Sequence, residues 1–435
     1  MAPSWLAAQG RLPLAFMTVG LVWLGTATAL VAVNPGLLAL PHLNPGMLAM
    51  THAWILGFFV TIAVGAVYQL APVALSTTLW SERAGWWHLA FHSIAVPALV
   101  YGFWTWEMPL LAAAGAMMVA GVLLFAVNVW VTILRSGQRD AVAWSLALAS
   151  AWLTLTASAG FLLVANRALA LWPVDPLALL RAHAHLGLVG FFLTLMQGVT
   201  FRLVPMFTLG DVPDWRPVRL GLWLSQLGLL VLAPGLAFHH PYVAFSGGAS
   251  IVAGMAATAW ALKRALATRK KRQLDAGVQQ LLVGTSVLGI SAAAGLWLAW
   301  PTTPGGSAPG GLNATVYGLL VILGGLLPAI AGMMGKIVPF LTWMRAYGPK
   351  VGRAPTPPAT SLSKPRIERA GLVLQALAVI PLIAGAWLLN VTMLRAGAAL
   401  LALGSGLFLV NMVGVLKHLW RPVSLPTAPN KSTKP

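Results

Sequence analysis

Twelve runs of about 20 or more mostly apolar residues divide this sequence, and no other feature constrains its fold so strongly. They fall at about 12–33, 49–75, 84–104, 108–134, 141–165, 182–208, 217–238, 241–262, 276–300, 313–343, 369–389 and 392–417. A helix of that length crosses the roughly 30 Å hydrocarbon core of a bilayer with its backbone N–H and C=O groups paired internally. The expectation is an all-α integral membrane protein with twelve transmembrane helices and the lipid bilayer as its first partner. Only 8% of the 435 residues are charged, too few to build a solvated surface. The first run follows Arg11, and its apolar stretch of about 22 residues exceeds the ~7–15 of a signal-peptide core. It reads as a retained helix.

The chain carries 27 Lys and Arg against 8 Asp and Glu, a formal charge of +19. These basic residues are too sparse and too widely spaced for a phosphate-tracking stripe, so nucleic acid is not an expected partner. Sorted by loop, 24 of the 27 lie with the N-terminus, the even-to-odd loops and the C-terminal tail; Arg167, Arg181 and Arg395 lie opposite. Positive charge stays on the cytoplasmic side, which predicts a multi-pass protein of the bacterial cytoplasmic (inner) membrane with both termini inside. The basic loop 263–275 and the Pro/Lys/Arg-rich loop 345–368 are the sizeable cytoplasmic segments. They determine topology and attract anionic lipid.

A repeat runs through the spans. Span 2 reads HAWILGFFVTIAVGAVYQLAP from His52, span 6 reads HLGLVGFFLTLMQGVTFRLVP from His185, and span 10 reads LLVILGGLLPAIAGMMGKIVP from Leu319. Counted from those residues, Gly recurs at offsets 5 and 13 and Pro at offset 20, and offset 17 is polar each time (Gln69, Arg202, Lys336). The prolines Pro72, Pro205 and Pro339 are 133 and 134 residues apart. This predicts a single membrane domain of three pseudo-threefold-related four-helix units, about 1–134, 135–266 and 267–418, with a cytoplasmic tail at 419–435. Glycine at matched depths permits close backbone approach or room for a flat ligand. Arg202 and Lys336, near cytoplasmic helix ends, are expected to snorkel.

In helix count, termini and threefold plan, the chain resembles the haem–copper oxidase subunit I superfamily. Its divergent members are the nearer likeness: NnrS-like haem–copper membrane proteins and the catalytic subunit of cbb3-type oxidases. The resemblance implies b-type haem, copper, or both near the periplasmic face, with ligands on helices 2, 6 and 10 and a copper-binding His pair after helix 7. Carried over, His52 resembles the haem ligand of helix 2, His185 or His183 the copper ligand of helix 6, and His239 and His240 the copper pair. Two departures stand out. Span 10 has no His, its repeat position being Leu319, and no Tyr follows either span 6 His by four residues. Standard oxygen reduction is therefore not expected. Tyr242 and Tyr317, both near the outer face, are the available phenols.

The residues themselves support a site on the outer side. With no Cys, any metal or cofactor rests on His, Met or carboxylate. His42, His52, His183, His185, His239 and His240 all fall toward the periplasm, and imidazole is the usual nitrogen ligand of haem iron, copper and zinc. His183 and His185 are two residues apart, about 200° around a regular helix, so both face one site only if the first turn is irregular. On the cytoplasmic side His88 and His92 share a helix face. They can clamp a metal or two haem edges, but beside Trp86 and Trp87 they read more simply as an aromatic interfacial belt.

All eight acids fall at helix ends or loops, so the mid-membrane carboxylate that proton pumps and ion-coupled carriers use is missing. No phosphate-loop, nucleophile-elbow or zincin pattern occurs, and Pro304–Gly311 reads as a flexible outer connector. The function expected is respiratory or nitric-oxide-related redox chemistry or electron transfer, with redox subunits or an electron donor as partners. The alternatives are a non-catalytic scaffold or assembly subunit of a respiratory complex and, behind it, a small-solute channel.

Overall fold

A computed structural model describes residues 10–211, 214–300 and 312–422. The connector Pro304–Gly311 and nearly all of the tail lie outside the described residues. Among those described there is no β-strand. The long helices are α1 (Arg11–Val33), α2 (Pro45–Ala74), α3 (Glu82–Thr105), α4 (Met108–Ser136), α5 (Ala141–Leu169) and α6 (Pro176–Thr208). They continue with α7 (Trp215–Ala237), α8 (Pro241–Ala267), α9 (Ala276–Leu298), α10 (Ala314–Ala346), α11 (Pro365–Trp387) and α12 (Val391–Leu416). Eleven of these are long and apolar enough to cross a membrane; α3 is not among them. Its 24 residues are long enough, but Glu82, Arg83, His88, His92 and Ser93 dilute the apolar run.

Helices α2 and α6 start four to six residues before their apolar runs because each has a polar cap followed by proline. Asn44 accepts the Gly46 N–H at 2.9 Å with Pro45 next, and Asp175 accepts the Leu177 N–H at 2.9 Å with Pro176 next. An Asn or Asp oxygen satisfies an orphan amide, and proline at the first position has no amide to satisfy.

The three helices that carry the sequence repeat share a backbone irregularity. Each widens into π-helix: Ala53–Val60 in α2, Leu186–Leu193 in α6 and Leu320–Leu326 in α10. The wide segment begins immediately after His52, His185 and Leu319. In the first two, a threonine hydroxyl donates to the carbonyl five residues back: Thr61 to Leu56 at 2.8 Å and Thr194 to Val189 at 3.1 Å. The corresponding residue of α10 is Pro328, which has no amide hydrogen at all.

The repeat glycines seat each of these helices on the one before it. A Cβ at Gly57, Gly190 or Gly324 would meet Trp23, Trp152 or Val287, and one at Gly65, Gly198 or Gly332 would meet Phe16, Ser145 or Gln280. On α1, α5 and α9 alike, the two contacted residues are seven apart.

The hairpins α3–α4, α7–α8 and α11–α12 turn in the same way. The residue before the second helix's cap is left-handed, at Trp106 (φ 60°), His239 (φ 55°) and Leu389 (φ 51°). The next amide then returns to a glycine carbonyl: Glu107 to Gly102 at 3.0 Å, His240 to Gly235 at 2.8 Å and Asn390 to Gly385 at 2.8 Å. This 6→1 bond is the Schellman closure of a helix end.

At the ends that follow their repeat prolines, α10 departs from α2 and α6. Helices α2 and α6 close on a Pro carbonyl, with Thr77 N–H on Pro72 and Gly210 N–H on Pro205, both at 3.0 Å. Helix α10 continues past Pro339 to Ala346 and leads into the long segment before α11. That segment is held by the Tyr347 hydroxyl on His418 Nδ1 at 2.8 Å and by Trp343 Nε1 donating to the Pro357 carbonyl. Lys336 is drawn into an ion pair with Asp275 at 2.5 Å, where simple snorkelling was expected; Arg202 is exposed. Asp275 also caps α9, accepting the Val278 N–H at 3.1 Å.

Candidate functional site

A cavity of about 920 Å³ lies among α2, α4, α5, α6, α8, α9 and α10, and His42, His52, His183 and His185 all line it. Its walls are otherwise mainly aliphatic and aromatic, with Arg167 and Arg181 also on the lining. An apolar hollow with a few convergent polar groups is the usual form of a small-molecule or cofactor site.

Two of the imidazoles are held alike. His52 Nδ1 lies 2.7 Å from the Leu48 carbonyl and His185 Nδ1 lies 2.8 Å from the Arg181 carbonyl, each one helical turn back. A carbonyl only accepts, so Nδ1 carries the proton in both rings and Nε2 keeps its lone pair. His52 is further fixed by stacking on Phe103, with centroids 4.5 Å apart and planes at 26°. His185 lies nearly parallel to Tyr317, with centroids 6.0 Å apart and planes at 17°.

His183 has a different environment. Its ring lies against α5 at Gly160, where a Cβ would come within 3.0 Å of Cε1. Its Nδ1 is buried with no hydrogen-bond partner among the described residues, and the ring is close enough to His52 to interact with it electrostatically. In the loop before α2, His42 has both ring nitrogens buried without such a partner.

The remaining sequence candidates go elsewhere. His239 is the left-handed residue of the α7–α8 turn and pairs at the surface with Asp175, Nε2 to Oδ2 at 3.1 Å. His240 occupies the N-cap position of α8 without a side-chain capping bond and is exposed. Neither lines the cavity, so His185, His239 and His240 are not brought together; their counterparts in the other hairpins are Trp106–Glu107 and Leu389–Asn390. Among the described residues no three His, Asp or Glu side chains come together as a metal-binding group. Of the two phenols, Tyr242 is 74% exposed whereas Tyr317 lines the cavity.

His88 and His92 correct the interfacial-belt expectation. They are 0% and 1% exposed, while Trp86 and Trp87 beside them face outward. The pair faces into the bundle formed by α1 to α4. His88 Nδ1 is 3.1 Å from the Tyr68 hydroxyl, and His92 Nε2 is 2.8 Å from the Thr61 hydroxyl and 3.2 Å from the Leu56 carbonyl. Because that carbonyl only accepts, His92 carries its proton on Nε2. His92 thus braces the wide segment of α2 at Leu56, and His88 the regular turns beyond it at Tyr68. The sequence signal for this was available: i,i+4 polar residues opposite Thr61 and Tyr68 in a helix whose outward face holds its tryptophans.

Compared with known families and with curated proteins, the chain matches no family model and no curated protein.

Proposed function

We propose that this chain is a haem-binding protein of a bacterial inner membrane, a divergent relative of haem–copper oxidase subunit I built from three four-helix units with α3 as a twelfth span. The observation that carries the reading is the pair of imidazoles at matched repeat positions. His52 and His185 both line the cavity, and both have Nδ1–H tied to the carbonyl one turn back, which leaves Nε2 as a ligand lone pair. The group fits the residues present. The walls are apolar, the donors are imidazoles, and the volume of about 920 Å³ is at the upper end of the ~300–1,000 Å³ common for ligand sites. His52 and His185 would each offer Nε2 to haem iron, with His183 the further imidazole near His52. A bound b-type haem would supply one-electron chemistry, for electron transfer or for respiratory or nitric-oxide-related redox reactions with an external donor. Copper lacks comparable support, because two of its three implied ligands sit on the α7–α8 turn.

The protein's own contribution is orientation and exclusion. The carbonyls of Leu48 and Arg181 set the tautomers, Phe103 fixes the His52 plane, and a mainly apolar wall surrounds both rings. The test is an oxidised and reduced absorption spectrum of the purified protein with iron and copper analysis. We expect a Soret band, bound iron, and loss of haem in the His52→Ala, His185→Ala double variant. Protein without a Soret band, or a double variant with unchanged haem content, would overturn the reading.

A further inference from the structure

The wide segments of α2 and α6 are held by the same pair of hydrogen bonds. Thr61 and Thr194, 133 residues apart, begin the regular turns that follow, and each donates its hydroxyl proton to the carbonyl five residues back. Each hydroxyl oxygen in turn accepts an N–H from the next long helix. For α2 the donor is His92 of α3, whose Nε2 lies 2.8 Å from Thr61 Oγ1; for α6 it is Gln226 of α7, whose Nε2 lies 2.8 Å from Thr194 Oγ1. His92 also reaches the Leu56 carbonyl at 3.2 Å, and Gln226 is steadied by Trp152, whose Nε1 donates to its Oε1. The four clamp residues are at most 4% exposed, so breaking either clamp would leave a buried polar atom unpaired.

The two clamps are alike in chemistry and unlike in sequence. His92 stands ten residues before the hairpin glycine Gly102, whereas Gln226 stands nine before Gly235. What α3 and α7 share is an N–H placed on a threonine, delivered by different side chains from neighbouring register positions. The third repeat helix has neither part. Its residue at the threonine position is Pro328, without a hydroxyl, and Gln375, ten residues before Gly385 on α11, donates to Ser405 of α12 at 3.2 Å. It also has Leu319 where the others have His52 and His185. Clamp and imidazole occur together and are missing together.

The clamp sits at the joint between two differently anchored halves. His52 and His185 hydrogen-bond backwards, to Leu48 and Arg181, so each ring moves with the helix end before the wide turns. The repeat glycines Gly65 and Gly198, four residues after the threonines, seat the other half on α1 and α5. An i→i+5 turn holds about one residue more than an α turn. Were the wide turns to close as ordinary α-helix with every residue retained, the halves would rotate by about 100° against each other and carry the imidazole off the cavity. In α10 proline lacks the amide hydrogen that such closure uses, whereas threonine in α2 and α6 has one, so there the wide register needs a bond to keep it.

We propose that His92 and Gln226 are positioning residues: through the threonine clamps they keep the turns after His52 and His185 wide and so aim both imidazoles into the cavity. The role of those imidazoles as cofactor ligands is taken from the haem reading above; the clamp itself is a property of the helices.

The experiment pairs hydrogen–deuterium exchange with the absorption spectrum of the full-length protein in detergent. His92→Leu and Thr61→Val should speed amide exchange in Ala53–Val60 about tenfold and leave Leu186–Leu193 unchanged; Gln226→Leu and Thr194→Val should do the reverse. His92→Gln, which restores an N–H donor of the kind α6 uses, should return Ala53–Val60 to wild-type exchange. In the haem spectrum, His92→Leu should shift the Soret band or lower haem content, and His92→Gln should restore both. Exchange unchanged in both segments, exchange raised evenly along the chain in His92→Leu, or a His92→Gln spectrum no different from that of His92→Leu would overturn the positioning role and leave the haem reading standing. Wild-type protein without haem would overturn the haem reading alone, and the exchange pattern would still decide the clamp.

Discussion

His42 is the residue whose environment most directly predicts a pH response. It sits in the loop before α2, and burial first, then the charge of Arg181, push its pKa below the ordinary histidine value of about 6.5. The folded protein therefore binds fewer protons at this site than the unfolded chain, so its stability rises with pH between the lowered folded pKa and the unfolded one. Acidification from pH 7.5 to 5.5 should lower the melting temperature in detergent, and His42→Gln should flatten that slope. Parallel slopes for the two proteins would show that the site does not titrate in this way. At this scale the sequence was only partly legible. It named His52, His183 and His185, because histidine at an outer helix start is conspicuous. It placed His239 and His240 with them, because depth in a membrane says nothing about direction around a helix. His88 and His92 went to the belt for the same reason: the tryptophans beside them do face outward, but on a helix the next residue is about 100° away.

At the scale of elements, the three hairpins share a cost that can be measured. Leucine in the left-handed region is strained by about 1–2 kcal/mol relative to glycine, and Leu389 is 56% exposed with little packing to lose. Leu389→Gly should therefore raise stability by about 0.5–1 kcal/mol, as glycine does where a positive φ is required. Gly235→Ala in the homologous turn should do the opposite. Its Cβ would fall 2.5 Å from the Ala244 amide nitrogen, which belongs to backbone and cannot move aside, and overpacking of this kind costs about 1–3 kcal/mol. Thermal unfolding of the two variants in one detergent checks both signs. The helices were legible from apolar length alone, to within a few residues at most ends. Their early starts at Pro45 and Pro176 were legible too, had the Asn-Pro and Asp-Pro pairs been weighed as caps. The π segments were not, since a widened turn changes hydrogen-bond register without changing which residues are apolar.

For the whole molecule, the distribution of charge and the loop lengths converge. The 24-to-3 partition of basic residues predicts that both termini and the loop before α11 lie on one side. That loop is also where the repeat spacing lengthens: the hairpin glycines Gly102 and Gly235 are 133 apart, whereas Gly235 and Gly385 are 150 apart. The threefold spacing is thus interrupted on the side expected to be cytoplasmic, away from the cavity. Reporter fusions after Arg139, Gly352 and Arg421 should all score cytoplasmic, and one after Ala170 should score periplasmic. A periplasmic score at Arg421 would mean an odd number of crossings and would remove α3 from the spans. The all-α membrane-spanning character was readable from apolar length, and the likeness of α2, α6 and α10 from the glycines and proline that each carries at fixed offsets, residue types tied to backbone geometry. The cavity was not readable, because a hollow is made by what three or more distant segments leave unfilled.

The wide turns of α2 and α6 begin one residue after His52 and His185, and the glycines that anchor each helix to its neighbour come later. The segment between imidazole and anchor therefore fixes an azimuth. An i→i+5 turn holds about one residue more than an α turn, so losing one residue from Ala53–Val60 would let those turns close into ordinary α-helix and leave the azimuth of His52 nearly where it was. One residue lost from the regular turns Thr61–Val64 would instead swing the ring by about 100° relative to Gly65 and turn it away from the hollow. The wide segment thus holds a spare residue, and the imidazole's direction is set by the count of residues in the regular turns beyond it.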